Sequence, residues 1–467
     1  MRISRNIVAI VSSFLLAVVS GCSGNMSNSQ SNIPQMGTVF SEGTDAPPTL
    51  PSVVSFQVLV TGVTVNNSGG SIPVLQNPTQ IDFAKLSGLH DLLDLQSVPN
   101  GNYDSVTISG SSAVIGYLDT SVSPPVLNTI TATPGTFSVT VPLAKTLVVD
   151  PNDLVGILMD LDLAQTIVVQ NGQVTGAITP TFDVRGLTAD DSEAEIDCFR
   201  GGVTSIDTSS SSFAIQGERG RDWTVMTNAN TMWDGNASFS ALTTNSIVEI
   251  SGKLDPVSHD IDADEVTILS QDHFFLGGLA TAVIPPTPSP ATQLQMYVRT
   301  ELPNISSVAP IGAIDSLTLN GSEKYFIGDF HSPLTALLFN NTTLGPGQRL
   351  GIGGALTGSG NSQTLTVHRV TLERQGQEGT WVMGSTQILS GNTGTFQIND
   401  NYLAGVLLPA PLTIVSTQFT NYVNLSGLSA LSGQGPFDLR VVGFILVNQQ
   451  TNQAEMVARS VELLTSF

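Results

Sequence analysis

One irregular alternation of apolar residues occurs three times along this chain, and it restricts the fold more than any other feature. Val248-Glu249-Ile250-Ser251-Gly252-Lys253-Leu254 lines up with Leu350-Gly351-Ile352-Gly353-Gly354-Ala355-Leu356 and with Leu439-Arg440-Val441-Val442-Gly443-Phe444-Ile445. Apolar residues take alternate places and glycine takes the third of them. A second run follows each: Ile261, Ala263, Val266, Ile268; then Leu365, Val367, Val370, Leu372; then Met456, Ala458, Val461, Leu463. Period-two alternation marks a strand with one buried face. The three-residue step inside every set is what a β-bulge produces, bending a strand while its apolar side chains stay inward. The repeated glycine suits a tight corner. Recurrence at this spacing means a repeat architecture, here expected to be three small, closed or nearly closed barrels.

The opening halves agree more loosely. Gly202-Val203 leads to Phe213 and Ile215, Gly278-Leu279 to Leu294 and Met296, and Gly384-Ser385 to Phe396 and Ile398. An aromatic then precedes each closing half: Trp233, Tyr325 and Phe419. This arrangement resembles domain of unknown function 5666, a small barrel similar to oligonucleotide-binding folds. The expected spans are 200–272, 275–376 and 379–467, the second interrupted by Pro285-Pro286-Thr287-Pro288-Ser289-Pro290.

Before the repeats, residues 37–187 read as a β-sandwich. Runs such as Val54-Ser55-Phe56-Gln57-Val58-Leu59-Val60 alternate with turn formers such as Asn66-Asn67-Ser68-Gly69-Gly70. The series Thr44-Asp45-Ala46-Pro47, Asp91-Leu92-Leu93-Asp94-Leu95, Pro99-Asn100-Gly101-Asn102-Tyr103 and Asp160-Leu161-Asp162-Leu163 with Pro180 resembles domain of unknown function 4382. That family sits behind lipoprotein signals, and the resemblance implies a sandwich but no activity. Residues 188–199, with Asp190, Asp191, Glu193, Glu195 and Asp197 and no base before Arg200, read as an acidic linker. The fold expected is all-β: a sandwich followed by three barrels resembling oligonucleotide-binding folds.

The N-terminus points to the bacterial envelope. Arg2 and Arg5 precede an apolar run from Ile7 to Val19, suited to a signal peptide and short for a membrane span. Val19-Ser20-Gly21-Cys22 resembles a lipobox, which implies a signal over 1–21, lipid on Cys22 and a membrane partner reached through that anchor. Ser23 after the cysteine implies the outer membrane. Residues 22–36 are polar and expected to be a tether. Cys198 is the other cysteine, so no intramolecular disulfide is expected, and its acidic neighbours argue against a reactive thiolate.

Charge excludes one partner class. With 38 acidic against 16 basic side chains and a net charge of -22, a nucleic-acid-binding surface is not expected. The five histidines, His90, His259, His273, His331 and His368, show no metal-ligand spacing, and no GxSxG or phosphate-binding loop occurs, so no enzyme is expected. Two carboxylate sets imitate calcium ligands: Asp160 and Asp162, expected on one strand face, and Asp260, Asp262 and Asp264. Glu265 stands where the second set would need glycine, and a solvated strand face is favoured for both. Trp223 follows the charged loop Glu218-Arg219-Gly220-Arg221-Asp222 and is the candidate ligand-stacking residue, while Trp233 is expected in a barrel core. The functional expectation is a non-catalytic envelope lipoprotein, a structural or adhesive arm with barrels projecting in series. The alternative is capture of glycan or peptide on barrel loops, and the two differ in whether a concave site exists.

Overall fold

The computed structural model describes residues 36–464 apart from 45–51, 87–90, 120, 123, 172, 189–195, 219, 234–236, 305–307, 329–337, 359–361, 401–406 and 433–434. The expected signal and most of the tether, Cys22 included, lie outside the described residues, as does most of the expected linker. The described residues belong to one compact unit, Gln35–Phe467.

Its N-terminal part is a sandwich. One sheet holds, in order, Phe182–Thr188, Leu154–Leu161, Met36–Thr44 and Asp91–Pro99, with Met36–Thr44 parallel to Leu154–Leu161. The other is built on two long antiparallel strands, Val53–Asn67 and Gly101–Asp119, flanked by Gly70–Pro73, Thr79–Asp82, Val126–Thr131 and Thr136–Val149. Val58, Ile81, Ile108 and Ile115 from the second sheet meet Val39, Ile157, Met159 and Val184 from the first in one core.

The three following sheets share one connectivity. The strands of the first are Ile196–Asp207, Ser212–Gly217, Asp222–Met226, Met232–Trp233, Ile247–Leu254 and Ile261–Ser270. Those of the second are Phe275–Ile284, Gln293–Leu302, Ile314–Thr318, Lys324–Ile327, Arg349–Thr357 and Thr364–Leu372. Those of the third are Gln375–Trp381 (continued by Gln387–Ser390), Thr393–Asp400, Leu412–Ser416, Asn421–Val423, Asp438–Asn448 and Gln453–Leu463. In each, the first strand pairs with the second and fifth, the second with the third, the fifth with the sixth, and the short fourth runs parallel on the sixth. The third strand closes onto the sixth in the first barrel, at Val225 and Ile261, and in the third, at Ile414 and Met456.

The bulge falls where the alternation skips. Register breaks at Ser251/Gly252, Gly353/Gly354 and Val442/Gly443, leaving Asp264, His368 and Arg459 as the extra residues opposite. A Cβ on Gly252, Gly354 or Gly443 would lie 2.1, 2.2 or 2.1 Å from the carbonyl oxygen of Asp262, Thr366 or Val457, so only glycine admits the crossing strand.

Several expectations shift. The first barrel begins at Ile196, already fully buried in a strand, so the linker ends before residue 196. The third barrel opens at Gln375, ahead of residue 379 and inside the span expected for the second. Its corner glycine is Gly379, opposite Leu439 as Gly201 is opposite Val248 and Gly278 opposite Leu350. Gly384 lies in a turn at φ +76°. The third barrel's packed aromatic is Tyr422, paired with Val461 as Trp233 is with Val266 and Tyr325 with Val370. Phe419 is 56% exposed.

The largest correction concerns arrangement. Barrels projecting in series would have separate cores; here the cores merge. Phe40, Leu154, Leu158 and Leu187 on the outer face of the first sandwich sheet pack with Phe199, Phe213 and Trp223 of the first barrel. Val54 and Leu118 of the sandwich join Leu279 and Tyr297 of the second barrel and the interior of the third. Phe444, Leu446 and Val457 of the third enter the core of the second, and Ile247 and Leu269 of the first meet Phe275 and Leu302 of the second.

Candidate functional site

Strand Gln293–Leu302 explains how a cleft arises where three parts meet. Its side chains Met296 and Val298 fill the second barrel while Tyr297 turns the other way, onto Val54 and Leu118 of the sandwich; the register then breaks with Arg299 as the extra residue, and Arg299 and Glu301 both line the cleft. There they are covered: Tyr297 is 1%, Arg299 9% and Glu301 2% exposed. A covered guanidinium needs acceptors, and Arg299 Nη2 donates to the carbonyl oxygen of Val54 at 2.9 Å.

Asp82, at the end of strand Thr79–Asp82, faces the same space. Its carboxylate accepts from the Phe56 amide at 2.9 Å and the Ser55 hydroxyl at 3.0 Å. Burial raises its pKa above the ordinary carboxylate value, with the Arg299 charge opposing. Burial, and then the Asp82 charge, raise the Tyr297 phenol too. From the first barrel, Glu218 accepts from Lys85 Nζ of the sandwich at 2.5 Å. Asp82, Lys85, Glu218, Arg299 and Glu301 line a cleft of about 510 Å³, together with the exposed Asn77, Gln80, Asn304 and Ile311 and the buried Ile81 and Leu86. A neighbouring hollow of about 640 Å³ shares Asn77 and runs along the ion pair of Arg221 with Asp94.

Among the described residues lining this cleft there is no histidine, cysteine or aromatic ring. The chemistry available is hydrogen bonding in both directions from Asn77, Gln80, Gln57 and Asn304, beside charges of both signs.

A second charged junction seals the first barrel against the second. Arg200, its side chain 2% exposed, reaches Glu249 at 2.6 Å and Glu373 at 2.8 Å, and its guanidinium lies 5.1 Å from the Phe275 ring centre. Arg349 Nε donates to Glu373 at 3.0 Å and Nη1 to the Lys85 carbonyl at 3.3 Å. Burial pushes the Glu373 carboxyl up, but Arg200 and Arg349 outweigh it and hold it below the ordinary value.

The structure separates the residues singled out from the sequence. Trp223, expected to be exposed, is 7% exposed: Phe199 packs edge-on to it, and Arg221 stacks on it 4.3 Å from the ring centre. It is a core residue, because the first barrel lies against the sandwich. Trp381 is buried too, and Trp233 half-buried. Asp160 and Asp162 do not share a strand face. The strand ends at Leu161, and Asp162 caps the turn Leu163–Thr166, accepting from the Gln165 amide at 2.8 Å. Asp160 instead lies within electrostatic reach of Arg440 of the third barrel. Asp262 and Asp264 lie on an exposed strand face and Asp260 just before it; burial and then the charges of Asp255, Asp260 and Asp264 raise the Asp262 pKa. Among the described residues no three His, Cys, Asp or Glu side chains are grouped to hold a metal ion. The sequence reading passed over Asp82, Arg299 and Glu301. In the sequence Tyr297, Arg299 and Glu301 alternate like an ordinary solvated face, and the bulge at Arg299 leaves no local signal.

The class defined by this architecture is an all-β protein in which a sandwich and three like-connected barrels enclose a polar junction. Within it, residues 36–176 match the family model described as Domain of unknown function (DUF4382), and residues 200–267 match Domain of unknown function (DUF5666). Neither a curated protein nor a solved structure matches the chain.

Proposed function

We propose that this chain is a non-catalytic bacterial-envelope lipoprotein, held at the outer membrane by lipid on Cys22, that captures a short peptide in the junction cleft. The cleft carries the reading, because a purely structural arm needs no concave site. Side-chain amides of Asn77, Gln80 and Asn304 in its lining match main-chain amides of a peptide. A glycan would call for an aromatic platform, which the described lining lacks. A structural or adhesive role is the second reading, supported by the merged cores, and would make the body a rigid block.

The test is a thermal melt of the chain from Ser23 onward against short peptides, peptidoglycan fragments, glycans and calcium. A ligand at a hundred times its Kd adds about 2.7 kcal/mol. The expected result is a shift with peptide that is lost in Asn77→Ala/Gln80→Ala, whose exposed side chains leave the unliganded melt unchanged. A flat panel, or a shift that survives the double substitution, overturns the capture reading. Mass spectrometry of the full chain from a bacterial membrane tests the anchor: diacylglycerol on Cys22 is expected, and an unmodified cysteine refutes it.

A further inference from the structure

The hollow beside the junction cleft holds a cation that the capture of a peptide in the cleft leaves unused. Its walls are residues 76–77 and 94–97 of the sandwich and Gly220 and Arg221 of the first barrel. The barrel's share is the turn joining Ser212–Gly217 to Asp222–Met226, closed by the Gly217 amide donating to the Arg221 carbonyl at 2.9 Å and the Gly220 amide donating to the Gly217 carbonyl at 2.9 Å. This turn serves both cavities: Glu218 lines the cleft, held by Lys85, and Arg221 lines the hollow. On the sandwich side Asn77 lines both, so a chain bound in the cleft has a continuous way into the hollow.

Arg221 is fixed in place there. Its Nη1 donates to Asp94, and its guanidinium lies 4.3 Å from the centre of the Trp223 ring. Asp94, 7% exposed, is filled with donors: besides Arg221 it accepts from the Gln76 amide at 2.7 Å, the Leu95 amide at 2.8 Å and the Gln96 side-chain amide at 3.1 Å. The Arg221 side chain is 38% exposed, and among the described residues Asp94 is the one acceptor hydrogen-bonded to it. Nε–H and the Nη2 hydrogens remain, which form one parallel pair of the guanidinium fork. A side chain fixed before a ligand arrives has less freedom to lose on binding. Apart from Asp94 and Arg221 the described lining is uncharged, and Gln76, Asn77 and Ser97 in it are exposed hydrogen-bonding side chains.

Resting on the capture reading, we propose that the hollow binds a carboxylate of the captured peptide, with Arg221 as its charged partner and Gln76, Asn77 and Ser97 around it. The choice of anion follows from charge and shape. A phosphate dianion would meet a single cation beside the Asp94 carboxylate, in a chain of net charge -22. A carboxylate brings one charge, and its two coplanar oxygens match the parallel N–H pair that Arg221 keeps. The carboxylate is either the peptide's C-terminus or an Asp or Glu side chain.

A library of N-acetylated tetrapeptides, made once with free C-termini and once as C-terminal amides, tests this on the chain from Ser23 onward, with retained peptides counted by mass spectrometry. Peptides carrying a carboxylate are expected to be retained at least about tenfold over amides without Asp or Glu. Retention of free acids of any sequence assigns the carboxylate to the chain terminus, and retention of amides containing Asp or Glu assigns it to a side chain. The preference is expected to vanish in Arg221→Gln. Because it is a ratio read on one protein, a change in that variant's stability cancels. Acids and amides retained alike leave peptide capture standing and overturn the carboxylate site, and so does a preference that survives Arg221→Gln. Retention of neither library overturns capture itself, and the carboxylate site with it.

Discussion

Replacing Glu373 by glutamine removes the one negative charge that Arg200 and Arg349 share, and the structure says how far the damage should travel. Both guanidiniums stay buried, with side chains 2% and 7% exposed. Removing one partner of a buried pair costs about 3 to 5 kcal/mol, because the remaining charge is left uncompensated. Arg200 keeps Glu249 and Arg349 keeps the Lys85 carbonyl, so the lower end, about 3 kcal/mol, applies. The melting temperature then reports cooperativity. If the whole unit Gln35–Phe467 unfolds together, its entropy of unfolding is about 0.9 kcal/mol/K and the midpoint falls by about 3 °C. If the second barrel melts alone, about 100 residues give about 0.2 kcal/mol/K and one transition falls by about 14 °C. The merged cores predict the smaller, single shift, read by calorimetry. The sign with pH is also set. A carboxyl held below its ordinary value in the folded state stabilises above that ordinary value and loses the contribution as pH falls through the lowered one. The gap between native protein and Glu373→Gln should therefore be full at neutral pH and shrink below about pH 4.5. An unchanged melt at pH 7, or a gap that grows on acidification, would refute the reasoning.

Other substitutions separate packing from recognition. Gly354→Ala drives a Cβ to 2.2 Å from the Thr366 carbonyl and should cost more than about 2 kcal/mol in chemical denaturation, whereas Gly62→Ala, with nothing within 4 Å, should stay within about 0.5 kcal/mol. Equal effects would mean the bulge does not constrain the barrel. Trp223→Ala should destabilise by about 3 to 5 kcal/mol and, at temperatures where the variant is folded, leave affinity for amidated peptides unchanged. A selective loss of binding would restore it as a contact residue. Asp262→Asn should stabilise by a few tenths of a kcal/mol at pH 7 and low salt, since its raised pKa means the ionised form is disfavoured in the folded state. The gain should vanish near pH 3, and a loss of stability specific to calcium-containing buffer would instead identify a metal site.

The barrels were legible because one signal recurred with its irregularity intact. The skip from Ala263 to Val266, repeated from Val367 to Val370 and from Ala458 to Val461, places the bulge to the residue. The third opening half was misplaced because its first strand is broken after Trp381: Gly384 then offers a glycine near the expected place, while the pairing glycine, Gly379, lies upstream. Phe419 for Tyr422 is the same kind of error, since a three-residue strand carries too few positions to set a register. The cleft was not legible. Tyr297, Arg299 and Glu301 alternate as any solvated strand face does, and nothing local reveals that the sandwich covers them.

Charge counting misread the interior for a related reason. A net charge of -22 implies a surface poor in cations, and it is, but six of the sixteen basic side chains stand at contacts between parts. Lys85 meets Glu218, Arg221 meets Asp94, Arg200 meets Glu373, Arg299 meets the Val54 carbonyl, Arg349 the Lys85 carbonyl, and Arg369 the Ile268 carbonyl. The sandwich, the first barrel and the third barrel are each acidic and would repel one another, and cations at the contacts between parts turn that repulsion into specific attachment. Because several of these pairs are screened from water, salt weakens them less than it weakens the repulsion between separate molecules. Added salt should therefore leave the body's internal contacts in place. Charges that a count of the whole chain reads only as an excess of acid thus act, where they are paired between parts, to hold the one chain together.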